Sequence, residues 1–198
     1  MGNINRISTI EVESANGTRE ISLYTRHLMN RKIFLTGEID DESAIEIISQ
    51  LMFLQDEGKE DISLFINSPG GSVNAGLMIV DVISSMKVPI NMYCIGMAAS
   101  MAAVILACGK KGRRYILPHS EVMIHEPLLS GGAGGSATSI KRKAESILET
   151  KDILNKILAK HTGRTVAEID AATSYDNYMN AQECIDFGIC DEVVKQIF

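Results

Sequence analysis

Ile62-Ser63-Leu64-Phe65-Ile66-Asn67-Ser68-Pro69-Gly70-Gly71 decides the reading of this chain, because an apolar run here ends abruptly in proline and paired glycine. Ile62 to Ile66 predicts a buried strand that closes in a tight turn. Ser72 or Asn74 then starts a helix over Val73 to Met86, which must stop at Val88-Pro89 because proline disfavours helix in the residue before it. The cycle repeats downstream: Ile90 to Ile95 is strand-like, Gly96 is read as its break, and Ala98 to Cys108 as a helix of small residues. Upstream, Arg31 to Leu35 predicts another strand. Asp40 and Asp41 can cap a helix with an apolar stripe of Ile45, Ile48 and Met52 beside Ile47, Leu51 and Leu54. Strands alternating with helices imply an α/β layered fold with a mainly parallel sheet.

Farther out, Arg114 to Leu117 and Glu121 to His125 read as short strands, followed by the glycine-rich segment Glu126 to Gly135. A helix from about Ser136 to His161 follows, with Ile140, Ala144, Ile147, Leu154 and Ile157 along one face. At about 25 residues it would be ~37 Å long, more than this chain needs across its width, so it is expected to project and seek a partner. Helices over Val166 to Ala172 and Ala181 to Phe187 and a strand over Ile189 to Val194 complete the prediction. At the other end, Asn16-Gly17-Thr18 reads as the turn of a hairpin between Ile10 to Ser14 and Glu20 to Tyr24.

The 198 residues fit one domain, and 45% apolar residues suffice for a core without staples. With 19 basic against 25 acidic residues and a net charge of -6, no basic and aromatic track invites nucleic acid. No run is long and apolar enough for a bilayer, and the opening residues lack a signal-peptide profile, so a cytoplasmic location is expected. Cys94, Cys108, Cys184 and Cys190 lack the spacing of a zinc site or disulfide framework; no metal and no cofactor is expected. Gly132-x-Gly134-x-x-Ala137 matches a loose dinucleotide fingerprint, but no acidic residue ends a second strand about 20 positions later. Lys141-Arg142-Lys143 reads as a solvated helix face.

Two turns can carry chemistry. Asn67 to Gly71 could aim backbone N–H groups at an oxyanion, or simply be a turn that needs positive φ. Gly96-Met97-Ala98-Ala99-Ser100-Met101 places Ser100 in the first turn of a helix entered from a buried strand. There a nucleophilic hydroxyl would sit beside free amides, although a small residue at a helix contact is the plain alternative. A serine hydroxyl needs a base, and His125, which ends an apolar strand, is the best of four histidines. His161 lies in the last turn of a helix, where the macrodipole favours a cation; His119 follows a proline in a turn. A carboxylate must hold the imidazole in one tautomer, and composition leaves its identity open.

INSPGGSVNAG, IGMAASMAAVILACG, RRYILPHSEVMIHEP and the long helix ending in HTG, in this order, resemble the proteolytic subunit of the Clp protease, ClpP, from about Ile7 to Val194. The resemblance implies an α/β, ClpP/crotonase-like fold of stacked ββα units with a long protruding handle helix at about 136–161, an axial segment over 1–27, and a single peptidase domain over 1–198. It also implies a serine endopeptidase with Ser100 as nucleophile, His125 as base, Asp176 as orienting carboxylate, and an oxyanion hole from the N–H groups of Gly71 and Met101. Substrate would lie extended against Gly70, Ser72, Val73, Pro127 and Leu128 as an added strand. Implied partners are a homo-oligomer of two stacked heptameric rings, a hexameric AAA+ Clp unfoldase that spends ATP, and unfolded polypeptide.

Several positions depart from the family's common pattern. Tyr175 stands where an arginine usually precedes the aspartate, Glu126 replaces a glutamine after the histidine, and Ser63 replaces an aromatic of the unfoldase clamp, while Phe65 keeps its ring. The 128–136 stretch is also longer and richer in glycine, so lower loop order is expected there. These departures leave open rings mixed with a paralogous subunit, or a structural rather than catalytic role. A crotonase-type acyl-CoA enzyme would share the fold and paired amides without needing the serine, histidine and aspartate.

Overall fold

Strand β4, Ile62–Gly71, is an inner strand of this architecture, which a computed structural model describes for residues 9–14, 17–129 and 134–197. It pairs in parallel with β3 (Lys32–Ile39) on one side and β5 (Ile90–Ala99) on the other. Beyond β5 the sheet continues in parallel through β6 (Arg114–Ile116) to β9 (Glu192–Val193). The far end of β5 instead pairs with β7 (Glu121–Ile124), and β8 (Asn177–Asn180) runs antiparallel to β7. A separate hairpin of β1 (Thr9–Ser14) and β2 (Gly17–Ser22) leads into helix α1, Leu23–Met29. Its expected turn residue Asn16 and the start of the family resemblance at Ile7 lie outside the described residues.

The parallel order forces crossovers, and the helices that make them bury one face each. Helix α2, Asp41–Glu57, is capped by Asp40, whose carboxylate accepts from the Ser43 N–H at 2.8 Å. It turns Ala44, Ile47, Leu51 and Leu54 to the core, while Ile45 and Met52 are 53% and 55% exposed. This corrects the expected stripe: positions 44, 47, 51 and 54 follow one helical face, and 45 and 52 lie on the next one round. Helix α3, Val73–Ser85, packs beside α2, and α4, Met101–Ala107, is buried along its whole length.

Gly96 does not break β5. Cys94 pairs with Ile66 and Ala98 with Ser68, so the strand bulges between them. The bulged N–H groups are satisfied from afar: Gly96 donates to Ser120 Oγ at 2.8 Å and Met97 to Asn67 Oδ1 at 3.2 Å. Gly96 holds φ 93°, and a Cβ there would meet Asn67 Oδ1 at 2.9 Å, so glycine is needed for the bulge rather than for a stop. Helix α4 consequently begins three residues later than expected.

Helix α5, Ala137–Thr162, ends at Gly163 in the left-handed conformation. It buries only Leu154, Asn155, Leu158 and Ala159; Ile140, Leu148 and Ile153 are exposed. The helix is therefore anchored by its last turns and stands free along its first half. Helices α6 (Val166–Thr173) and α7 (Ala181–Phe187) close the chain around β8. The expected last strand over Ile189 to Val194 shrinks to β9, because Asp191 is drawn to Arg114. On the sheet, the rings of Phe34, Phe65, Tyr93 and Tyr115 stack from strand to strand at 5.1, 5.0 and 5.0 Å, which buries Phe65.

Candidate active site

The C-terminal ends of β4 and β5 meet where the chain turns from each strand into a helix. Ser68, fully buried, accepts the Gly70 N–H on Oγ at 3.1 Å and donates to Gly37 O at 2.6 Å, which locks the first turn. Gly70 holds φ 90°, and a Cβ would meet Ala99 O at 2.6 Å and Ser100 Cβ at 2.7 Å, so only glycine lets the two turns approach. The neighbouring Ser72 N–H donates to Ile39 O at 2.7 Å, toward β3.

Ser100 lies one residue earlier relative to the helix than its sequence suggests. It is the N-cap of α4, at φ 54° and ψ -123°, and its side chain makes no capping bond. Instead Oγ lies 2.9 Å from His125 Nε2. A non-glycine residue with positive φ at the end of a strand costs of order 1–3 kcal/mol and persists where its surroundings over-determine it. Here the Ser100 N–H is fixed to Met123 O at 2.8 Å, and its carbonyl accepts from Ala103 and Val104. Met101, the first residue of α4, carries one of the N–H groups that a helix start leaves without an internal partner.

His125 directly follows β7, and its Nδ1 lies 3.2 Å from Asp176 Oδ1. Asp176 directly precedes β8. Because Ile124 pairs with Asn177 across these antiparallel strands, base and carboxylate stand opposite each other one residue beyond that pair. For Nε2 to accept the serine proton, Nδ1 must carry its own and donate it to the carboxylate. The set is ordered as hydroxyl, imidazole, carboxylate, and its serine faces a cleft of about 320 Å³.

Gly71, Val73, Ser100, Met101, His125, Pro127 and Leu128 all line this cleft. Gly70 lies beneath it against Ser100, and Ser72 faces a neighbouring hollow shared with Asn74, Leu129 and Lys143. The cleft also contains residues that sequence reasoning missed: Met123, Val104, Leu154, Asn155 and Leu158. Leu154 and Leu158 form an i, i+4 pair on α5. That spacing is the available signal, but the apolar face read along this helix, Ile140, Ala144, Ile147, Leu154 and Ile157, omits Leu158.

The remaining candidates have structural surroundings. All four cysteines are free and buried, and burial pushes the thiols of Cys94, Cys108 and Cys184 up to about 12, which keeps them unreactive. Burial lowers the His161 pKa, followed by the cations Lys160 and Arg114, so the expected charge at this helix end is opposed. Of the dinucleotide-like pattern, Gly132 lies outside the described residues. Among the described residues no His, Cys, Asp and Glu group could hold a metal ion, and no helix is long and apolar enough to cross a membrane. A family model described as Clp protease matches residues 15–197.

Proposed function

This chain belongs to the Clp protease family, and from that premise we propose that it is a serine endopeptidase subunit in which Ser100, His125 and Asp176 perform the chemistry. The contact from Ser100 Oγ to His125 Nε2, continued from Nδ1 to Asp176, is the observation that carries the reading. His125 takes the Ser100 proton as Oγ bonds to the scissile carbonyl carbon, and Asp176 stabilises the imidazolium that forms. The carbonyl oxygen, now an oxyanion, accepts from the N–H groups of Met101 and Gly71. As the C–N bond breaks, His125 returns the proton to the leaving amine; water then repeats the sequence on the acyl-serine and frees the enzyme.

The substrate is an unfolded polypeptide, held as an extended strand between the Gly70 to Val73 turn and Pro127-Leu128, with one apolar side chain in the cleft. Backbone pairing of this kind reads little sequence. Selectivity then falls to admission into a chamber formed by two stacked heptameric rings, fed by a hexameric AAA+ unfoldase in the cytoplasm. In such a barrel the whole chain is one peptidase unit, α5 is the handle between rings and the hairpin of β1 and β2 faces the axis. Tyr175, 62% exposed beside Asp176, favours a second reading in which the rings include a paralogous subunit.

Treating the assembled protein with a serine-reactive fluorophosphonate and mapping the adduct by mass spectrometry should place the label on Ser100 and abolish short-peptide hydrolysis. Unlabelled Ser100 in a preparation that still cleaves peptides would sink the assignment.

A further inference from the structure

Glu126 is fastened twice to the same turn of α6. Its N–H donates to Thr173 O at 2.7 Å, and its carboxylate meets Lys151 Nζ at 3.0 Å; that ammonium in turn reaches Asp170 Oδ1 at 2.9 Å. Asp170 lies three residues before Thr173 on α6, and one turn along α5 from Lys151 the Asn155 amide also donates to Asp170 Oδ1, at 3.1 Å. The Thr173 hydroxyl donates within the same helix, to Ile169 O at 2.9 Å. The polar circuit therefore closes: Glu126 to Thr173, along α6 to Asp170, across to Lys151, and back to Glu126.

This circuit flanks the two groups whose separation matters. His125 immediately precedes Glu126, and Asp176 follows Thr173 after two intervening residues. The β7–β8 ladder holds both from one side through Ile124 and Asn177; the circuit holds them from the other. The Asp176 carboxylate is 62% exposed and has no second partner among the described residues, so its position depends on the backbone around it. We propose that Lys151 is a positioning residue for the His125–Asp176 pair, clasping the chain just after the histidine to the helix just before the aspartate. The proposal rests on the catalytic reading above.

Lys151 is an ammonium between two carboxylates, and both bonds favour its charged form, that to Asp170 first and that to Glu126 second. Removing the cation leaves two anions facing each other, so attraction between the segments becomes repulsion. An exposed ion pair contributes little to global stability, whereas catalysis is sensitive to small displacements, by about 100-fold for an ångström. Turnover should therefore respond far more than melting. The aromatic-to-polar and arginine-to-tyrosine departures have no such answer in this chain, but the unusual Glu126 does. Its carboxylate gives Lys151 an ionic partner and so tethers the segment just after the histidine.

The test uses the full assembled protein. Lys151→Met should lower kcat for a short fluorogenic peptide, and the rate of Ser100 phosphonylation, about tenfold with KM within about twofold, a displacement well under an ångström. Lys151→Arg should keep at least half of the turnover, and adding Glu126→Gln to Lys151→Met should recover several-fold by removing one of the two repelling anions. Independently of activity, amide hydrogen exchange in the peptide that contains Glu126 should speed up in Lys151→Met, with ring assembly and melting midpoint unchanged. Unaltered turnover and exchange in Lys151→Met would overturn the proposal, as would a loss that neither Arg nor the second substitution relieves. A wild-type protein that takes no label at Ser100 would instead refute the catalytic reading, leaving the exchange result to judge the clasp.

Discussion

Ser100 pays in conformation for its place, since φ 54° puts a Cβ-bearing residue where glycine is favoured. Its Cβ also lies against the face of Gly70 that could carry no side chain. These two residues define the site: one accepts strain so that its hydroxyl reaches His125, and the other gives up its side chain so that the turns can meet. Replacing Ser100 by alanine removes the proposed nucleophile but keeps the strained Cβ, whereas glycine removes both. Both variants should lose hydrolysis by up to about 10⁶-fold, as in other serine proteases. Ser100→Gly should nevertheless melt higher than Ser100→Ala, by about 1 kcal/mol once the entropy cost of glycine is set against relief of strain. Equal midpoints in calorimetry would show that this backbone conformation costs nothing.

Among elements, the junction of β6, β9, α4 and α5 hangs on Arg114, whose side chain is only 2% exposed. Its guanidinium is paired bidentately with Asp191 and also donates to Ala107 O and His161 O, the carbonyls at the ends of α4 and α5. Burial would raise the Asp191 pKa, but the bonds and charge of Arg114 outweigh it and hold the carboxyl below its usual range. A depressed folded-state pKa contributes stability above the unfolded value, near 3.8, and loses it as pH falls through the lower folded value. Asp191→Ala, which strands a buried guanidinium, should cost about 3–5 kcal/mol at neutral pH in denaturant unfolding. The gap from wild type should narrow in strong acid; a constant gap would mean that the pair is not what stabilises the junction.

This junction also shows what could be read in advance. The strands and helices from Ile62 to Ser85 were legible because period, proline and glycine act within a few residues. The bulge at Gly96 was not, since the groups that satisfy it, Ser120 and Asn67, lie 24 and 30 residues away. The same distinction governs the site. Ser100 was visible as a hydroxyl at a helix start and His125 as the end of an apolar strand, but residue pattern alone could not choose Asp176: its place depends on β8 pairing with β7, a contact across 53 residues at Ile124 and Asn177. Resemblance to the Clp proteolytic subunit supplied that residue. Neither pattern nor resemblance indicated Lys151, whose partners are gathered only by the packing of α5 on α6.

At the scale of the whole molecule, α5 poses a solvation problem that one copy does not solve. Ile140 and Leu148 are 41% and 63% exposed in the first half of a helix that buries nothing there. Isolated helical segments gain most of their stability from packing an apolar face, so this half requires a partner to justify those side chains. In the proposed barrel the partner is the same helix region of a subunit in the facing ring. Leu148→Asp should leave the fold of each subunit intact, because that side chain is largely exposed and lies outside the buried core. It should, however, place a charge in the seam, and native mass spectrometry should then find single rings or smaller species with peptidase activity reduced in proportion to the double rings lost. Double rings that persist at micromolar concentration with full activity would move the seam away from this face of α5, and the exposed apolar residues of α2, Ile45, Met52 and Phe53, would become the surface to substitute next.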